Sequence, residues 1–216
     1  MEGTEAYPRN RRLIVALPTN DDKTLVAVQW PRAEFHAIRR NIAGNFMRAL
    51  DELAPNFASR VRKGRQEERF IGTGDLPNFY RKSHGPGWAL VGDAGLFKDP
   101  ILGHGMSDAF ESAELLAGAV DRGLSGKSSL EEALAEYERQ RNEATESRYN
   151  YNCQRATLEP PAPEIQKLFY AMRGNQAAIN YYLSINAGTN DPADFFTYEN
   201  IQRITCCLTF QSSNAR

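Results

Sequence analysis

The stretch Trp88-Ala89-Leu90-Val91-Gly92-Asp93-Ala94-Gly95, continued through Asp99-Pro100-Ile101-Leu102-Gly103-His104-Gly105-Met106-Ser107-Asp108-Ala109, decides the reading of this chain. Trp88 to Val91 is short, apolar and bounded by glycines, which predicts a strand buried on both faces. Asp93 follows at the strand end. After a loop with one proline, Met106, Ala109, Phe110, Ala113, Leu116, Ala117 and Val120 recur at helical spacing, so a helix begins near Gly105. The first N–H groups of a helix lack internal partners and carry the positive end of its dipole, so this start favours an electron-rich or anionic group. Gly103 and Gly105 have no Cβ to keep a flat ring away from their backbone. Strand, turn, loop and helix in this order have the form of a cofactor site.

With Glu111-Ser112-Ala113-Glu114-Leu115-Leu116-Ala117 after it, the segment resembles the second flavin-binding motif of FAD-dependent monooxygenases of the para-hydroxybenzoate hydroxylase type. It is equally similar to the matching segment of flavin-dependent halogenases and of geranylgeranyl-reductase-like oxidoreductases. The resemblance implies that the Gly92-Asp93-Ala94 turn meets the ribityl chain of FAD, with Asp93 as its hydrogen-bonding contact. It also implies that, beyond Pro100, the backbone N–H groups of Gly103, His104, Gly105 and Met106 face the N1/C2=O edge of the flavin, where a helix N-terminus stabilises the anionic reduced ring. The expected activity is an FAD-dependent oxidoreductase, foremost an NAD(P)H-dependent monooxygenase of a small organic substrate. Halogenation and alkene reduction are the alternatives. Many hydroxylases of this type carry a histidine soon after the Gly-Asp-Ala, whereas Leu96 and Phe97 stand here.

Such proteins bind the ADP half of FAD through a Gly-x-Gly-x-x-Gly turn between a first strand and a first helix. No such turn occurs in this sequence: Gly72-Thr73-Gly74 runs into Asp75, Leu76 and Pro77, and Asp108 stands where Gly103-His104-Gly105 would need a third glycine. The expectation is a C-terminal portion of the family pattern: a fragment, a subunit completed by a separate Rossmann half, or a non-catalytic remnant or assembly subunit. Exposed sheet surface in such a chain would favour a homo-oligomer. The Gly123-Leu124-Ser125-Gly126-Lys127-Ser128 stretch ends like a phosphate-binding loop, but Asp121 stands where that motif requires glycine, so it reads as a helix-to-helix turn.

At 216 residues, 41% hydrophobic and 25% charged, the chain is long enough to bury a sizeable core. A net charge of −1 speaks against a nucleic-acid surface, and Arg60, Arg62, Lys63 and Arg65 read as a solvated loop after Pro55. No segment approaches the roughly 20 apolar residues of a membrane span. The N-terminus lacks a secretory core, which makes the cytoplasm the expected location. Cys153, Cys206 and Cys207, with His36, His84 and His104, have neither disulfide-framework nor metal-ligand spacing.

The fold class expected is α/β (α+β), part of an FAD/NAD(P)-binding fold. Residues 1–87 form a partial substrate-domain sheet with one amphipathic helix. Residues 88–122 carry the strand-loop-helix motif, 123–204 a helical region and 205–216 a loose tail. Arg12–Leu17 and Thr24–Trp30 pair as a hairpin around Asn20-Asp21-Asp22. Phe35, Ile38, Ile42, Phe46, Leu50 and Leu53 mark one helix ending near Pro55, and Glu68–Ile71 is a return strand. Ser129 and Glu132 form a capping box for a long helix that the prolines of Leu158–Pro163 stop. Short helices cover Glu164–Met172 and Gln176–Ile185, with Gly174 and Gly188 as breaks. The late aromatics, among them Phe169, Tyr181, Tyr182, Phe195 and Phe196, read as helix packing. No side chain stands out as a general acid or base, since in flavoproteins the cofactor carries the chemistry.

Overall fold

The computed structural model describes residues 3–213, with side-chain surroundings through Cys206. The chain is mixed helix and sheet, the class expected, and divides into two compact units.

Residues 3–76, joined by Thr157–Pro160, form the first unit. Its antiparallel sheet has the order β1 (Glu5–Arg9), β2 (Arg12–Pro18), β3 (Thr24–Gln29). The hairpin of β2 and β3 runs in the expected register, Leu13 opposite Gln29 and Pro18 opposite Thr24. Strand β1 was not foreseen, because Pro8 sits inside it, as an edge strand permits. It pairs through a two-residue turn in which Asn10 and Arg11 both have positive φ. The helical stripe expected from Phe35 to Leu53 is broken. After α1 (Phe35–Ile38), Asn41 accepts from Gly44 N at 3.0 Å and starts α2 (Ile42–Leu53) afresh. Pro55 opens a further helix, α3 (Pro55–Lys63), so Arg60, Arg62 and Lys63 lie on a helix rather than in a loop. Ile14 and Ala16 of β2 pack on Phe46, Leu50, Leu53, Phe57 and Ala58 to form the core of this unit. Glu68–Ile71 is not a strand: Phe70 alone reaches that core, against Phe46, while Ile71 stands in solvent.

The second unit comprises residues 77–156 and 161–213. Strand β4 (Phe79–Tyr80) pairs with β7 (Leu96–Phe97), and β5 (His84–Gly85) with β6 (Trp88–Ala89). Trp88–Val91 is therefore not a strand buried on both faces. Pro86 and Gly87, the latter at φ +77°, turn the chain so that Trp88 becomes one arm of a two-residue hairpin, its indole over Gly85 and 46% exposed. Helix α4 (Gly105–Leu124) starts where expected and pairs with α5 (Leu130–Ala156) across Ala119, Ala133, Leu134 and Tyr137. The buried line of α4 is Asp108, Ser112 and Ala119, not the apolar stripe: Met106 and Phe110 are 77% and 76% exposed. The capping box forms, with Glu132 N donating to Ser129 Oγ and Ser129 N to Glu132 Oε2. Helices α6 (Pro163–Ala171), α7 (Gln176–Asn186), α8 (Pro192–Phe195) and α9 (Tyr198–Ser213) follow. Phe169, Tyr181, Tyr182, Phe195 and Phe196 pack with Leu168 and Ile185 in their core, as expected. Residues 205–213 continue α9 instead of forming a loose tail, since neither glycine nor proline interrupts them; residues 214–216 lie outside the described residues.

Candidate flavin-facing site

The backbone leaves Val91 in an extended conformation and enters the turn Gly92–Ala94. Gly92 takes φ +58°, which L side chains rarely adopt, and a Cβ there would lie 3.2 Å from Ala109 Cβ. Its N–H donates to Ser112 Oγ at 3.0 Å, and the same hydroxyl donates to Ala109 O. Thus the Gly-Asp turn is fastened to the first two turns of α4, with Asp93 and Ala94 facing solvent.

Support comes from the opposite side as well. Arg141 of α5, fully buried, lies against Gly95, with its guanidinium over the Tyr80 ring and hydrogen bonds to neutral oxygens, Arg81 O and Asn142 Oδ1. Tyr137, also of α5, donates to Leu90 O at 2.7 Å. Burial pushes the Tyr80 and Tyr137 hydroxyls above the ordinary phenol range, with the Arg141 charge opposing the rise at both.

Beyond β7, Asp99 caps a short turn, Pro100–Leu102, by accepting from Ile101 N at 3.0 Å. Its own N–H donates to Asn78 Oδ1, which Asn152 of α5 also reaches. Burial raises the Asp99 carboxyl above the usual carboxylate range, and the Ile101 N–H opposes the rise. Gly103 then takes φ +74° with open space where a Cβ would be, and Gly105 has the same open space. The first helical hydrogen bond runs from Asp108 N to His104 O, so the N–H groups of Gly105, Met106 and Ser107 precede it on an exposed end of α4.

The predicted residues divide into two groups. Gly103, Gly105 and Met106 lie at the open helix end, while His104 turns inward, its Nε2 3.0 Å from Asn186 O. A carbonyl only accepts, so Nε2 is the donor in this contact; Nδ1 is buried without a hydrogen-bond partner among the described residues. Pro100 opens the turn leading to the helix start.

Sequence reasoning missed the charged residues beneath the site. Asp108 stands in the opening stretch and Lys98 in the gap between its two quoted parts; they meet, with Nζ 2.6 Å from Oδ2 and both side chains buried. Arg148 of α5 lies 3.9 Å from Asp108 Oδ1 and pairs with Glu111. Asp108 is charged on the helix line that faces α5, and that conflict with burial was the available signal. The arrangement offers a fixed, exposed set of N–H donors with positive dipole character beside an exposed carboxylate. This suits a ligand that has both an electron-rich edge and hydroxyl groups.

No protein-family model matches the chain. A tryptophan 2-halogenase of Chondromyces crocatus is 38% identical over 87 residues, covering 40% of this chain and 17% of the halogenase. In structure the chain is similar to PqsL of Pseudomonas aeruginosa, a probable FAD-dependent monooxygenase, with TM-score 0.63 and 26% identity over 73% of this chain and 44% of PqsL. PqsL in complex with 2-aminobenzoylacetate matches with TM-score 0.61, 26% identity and coverage of 71% and 43%. The chain therefore spans less than half the length of these relatives.

Proposed function

We infer the role of the open end of α4 from the chain's similarity in structure to a probable FAD-dependent monooxygenase and in sequence to a tryptophan 2-halogenase. We propose that this chain supplies the flavin-facing portion of an FAD-dependent oxidoreductase, with a monooxygenase of a small organic substrate as the activity and NAD(P)H as reductant. Expression in the cytoplasm accords with that reductant. The observation that carries the reading is the exposed α4 terminus, where the N–H groups of Gly105, Met106 and Ser107 precede the first helical bond and Gly103 and Gly105 leave room above the backbone.

The residues fit the cofactor. The Gly103 N–H is taken by Pro100 O, so its part is to leave room, while the backbone N–H groups of His104, Gly105 and Met106 would hold the pyrimidine edge of the ring, and their dipole would favour added negative charge there. Asp93, exposed on a turn that Ser112 fastens to the same helix, would accept hydrogen bonds from ribityl hydroxyls. The buried His104, bonded to Asn186 O, fixes the helix start, and Pro100 stiffens the approach to it. FAD, when bound, supplies the electron transfer and oxygen chemistry that no side chain here provides. The chain's own part is to bind, orient and polarise.

A second reading is favoured by the solvent-exposed Met106 and Phe110: an assembly subunit whose site is completed by a separate polypeptide carrying the ADP-binding half. An FAD titration of the purified chain, read by quenching of flavin fluorescence, separates the two. Saturable quenching weakened at least tenfold by Asp93→Ala supports cofactor binding by this chain. Absence of quenching by the folded chain rejects it and leaves the assembly reading.

A further inference from the structure

The loop that delivers Gly103 and His104 to α4 contains a buried cation whose partner is on the helix it precedes. Lys98 Nζ lies 2.6 Å from Asp108 Oδ2, and the two side chains are 4% and 8% exposed. Their contact is off the hydrogen-bonding direction, and neither atom makes another hydrogen bond among the described residues. Arg148, in turn bonded to Glu111, stands 3.9 Å from the other Asp108 oxygen. Two cations and two carboxylates thus sit together, and the pair at the centre has little water to screen it.

We propose that Lys98 and Asp108 are positioning residues: their ion pair locks the segment from Lys98 to His104 onto α4 and thereby holds the N–H groups of His104 to Met106 in place. The functional consequence rests on the flavin reading given above, whereas the lock itself does not. The segment's other ties run away from α4: His104 Nε2 meets Asn186 O and Leu102 packs against the core of the later helices. Asp99 accepts from Ile101 N within its own turn, its N–H donates to Asn78 Oδ1, and Gly103 N–H bonds back to Pro100 O. The Lys98–Asp108 contact joins the far end of the segment to α4, as the bond from Asp108 N to His104 O joins its near end. Buried ionic groups of this kind are often neutral for stability while specifying one arrangement over others.

The test is hydrogen–deuterium exchange on the flavin-free chain, with FAD titration in parallel, for Lys98→Met and for Lys98→Met/Asp108→Leu. The double variant removes both charges and so folds without an orphaned carboxylate. A lock predicts exchange of peptides spanning 99–107 faster by about tenfold in both variants, with peptides spanning 164–186 unchanged, and FAD affinity weaker by about tenfold. Wild-type protection of 99–107 in the folded double variant overturns the proposal, because the pair would then only fill space. Should the wild-type chain bind no FAD while the variants still show local loss of protection, the flavin reading fails and the lock stands. Should FAD bind wild type and double variant alike with unaltered exchange, the lock fails and the flavin reading stands.

Discussion

Gly95 offers a test of how the turn bearing Asp93 is held. Its backbone lies in the ordinary right-handed region, so alanine brings no conformational strain there. A Cβ would instead lie 2.5 Å from Arg141 Nη1 and 3.2 Å from Ser83 Oγ. Arg141 is buried at the centre of α5 and its guanidinium is tied to Arg81 O and Asn142 Oδ1, so withdrawing it breaks those hydrogen bonds. Overpacking of this kind costs about 2 kcal/mol, which for a chain of this size corresponds to a fall in Tm of roughly 4–8 °C. Arg141→Met shortens the side chain and replaces a buried cation whose hydrogen bonds go to neutral oxygens, so that substitution alone is close to neutral, within about 1 kcal/mol. In the Arg141→Met background, Gly95→Ala then costs less than about 0.5 kcal/mol, a coupling of about 1.5 kcal/mol between neighbours. Thermal unfolding followed by circular dichroism on the four proteins measures the cycle. A Gly95→Ala chain with wild-type Tm, or an equal loss in both backgrounds, would refute the steric argument.

Three further outcomes follow from contacts elsewhere. Ser112→Ala leaves Gly92 N–H without its acceptor and lowers stability by about 1–2 kcal/mol, measurable by urea unfolding; Ser112→Thr, which keeps the hydroxyl, recovers most of it. Ser129→Ala removes the cap of α5 and costs about 1 kcal/mol in the same assay, whereas Ser129→Asp costs less. The Arg60 guanidinium, hydrogen-bonded to Glu5 together with the Tyr7 hydroxyl, lowers the Glu5 carboxyl to about 2. A depressed carboxyl contributes stability that is complete above its unfolded value near 4.5 and lost as pH falls toward about 2. Between those pH values the wild-type Tm falls more steeply than that of Glu5→Gln, and equal slopes would remove Glu5 from the account.

Legibility in the sequence tracked the range of the interaction involved. The start of α4, the Ser129–Glu132 cap, and the breaks at Gly174 and Gly188 are written within four or five residues, and the chain folds as they indicate. Trp88 was misread because apolar character does not reveal a partner: the Pro86-Gly87 turn gives it a two-residue hairpin instead of a sheet interior. The stripe of α4 was misplaced for a similar reason. Which face is covered depends on α5, and α5 covers the line of Asp108, Ser112 and Ala119. Lys98 and Asp108 remained hidden because two charges ten positions apart read as solvated until the loop between them is closed. The break of the helix from Phe35 to Leu53 turns on Asn41, whose side chain accepts from the N–H of Gly44.

The bond from His104 to Asn186 joins positions 82 residues apart in the chain. Helix α4 and its cap are local and can form early, but the ring at the helix start has no anchor until the end of α7 has been synthesised and docked. On the ribosome, then, helix α4 precedes the anchoring of this ring, and a nascent chain stopped before Asn186 would display a complete helix whose His104 ring lacks its Asn186 partner. The start of α4 is thus fully anchored only after α7 has docked, although its residues are translated in the first half of this unit.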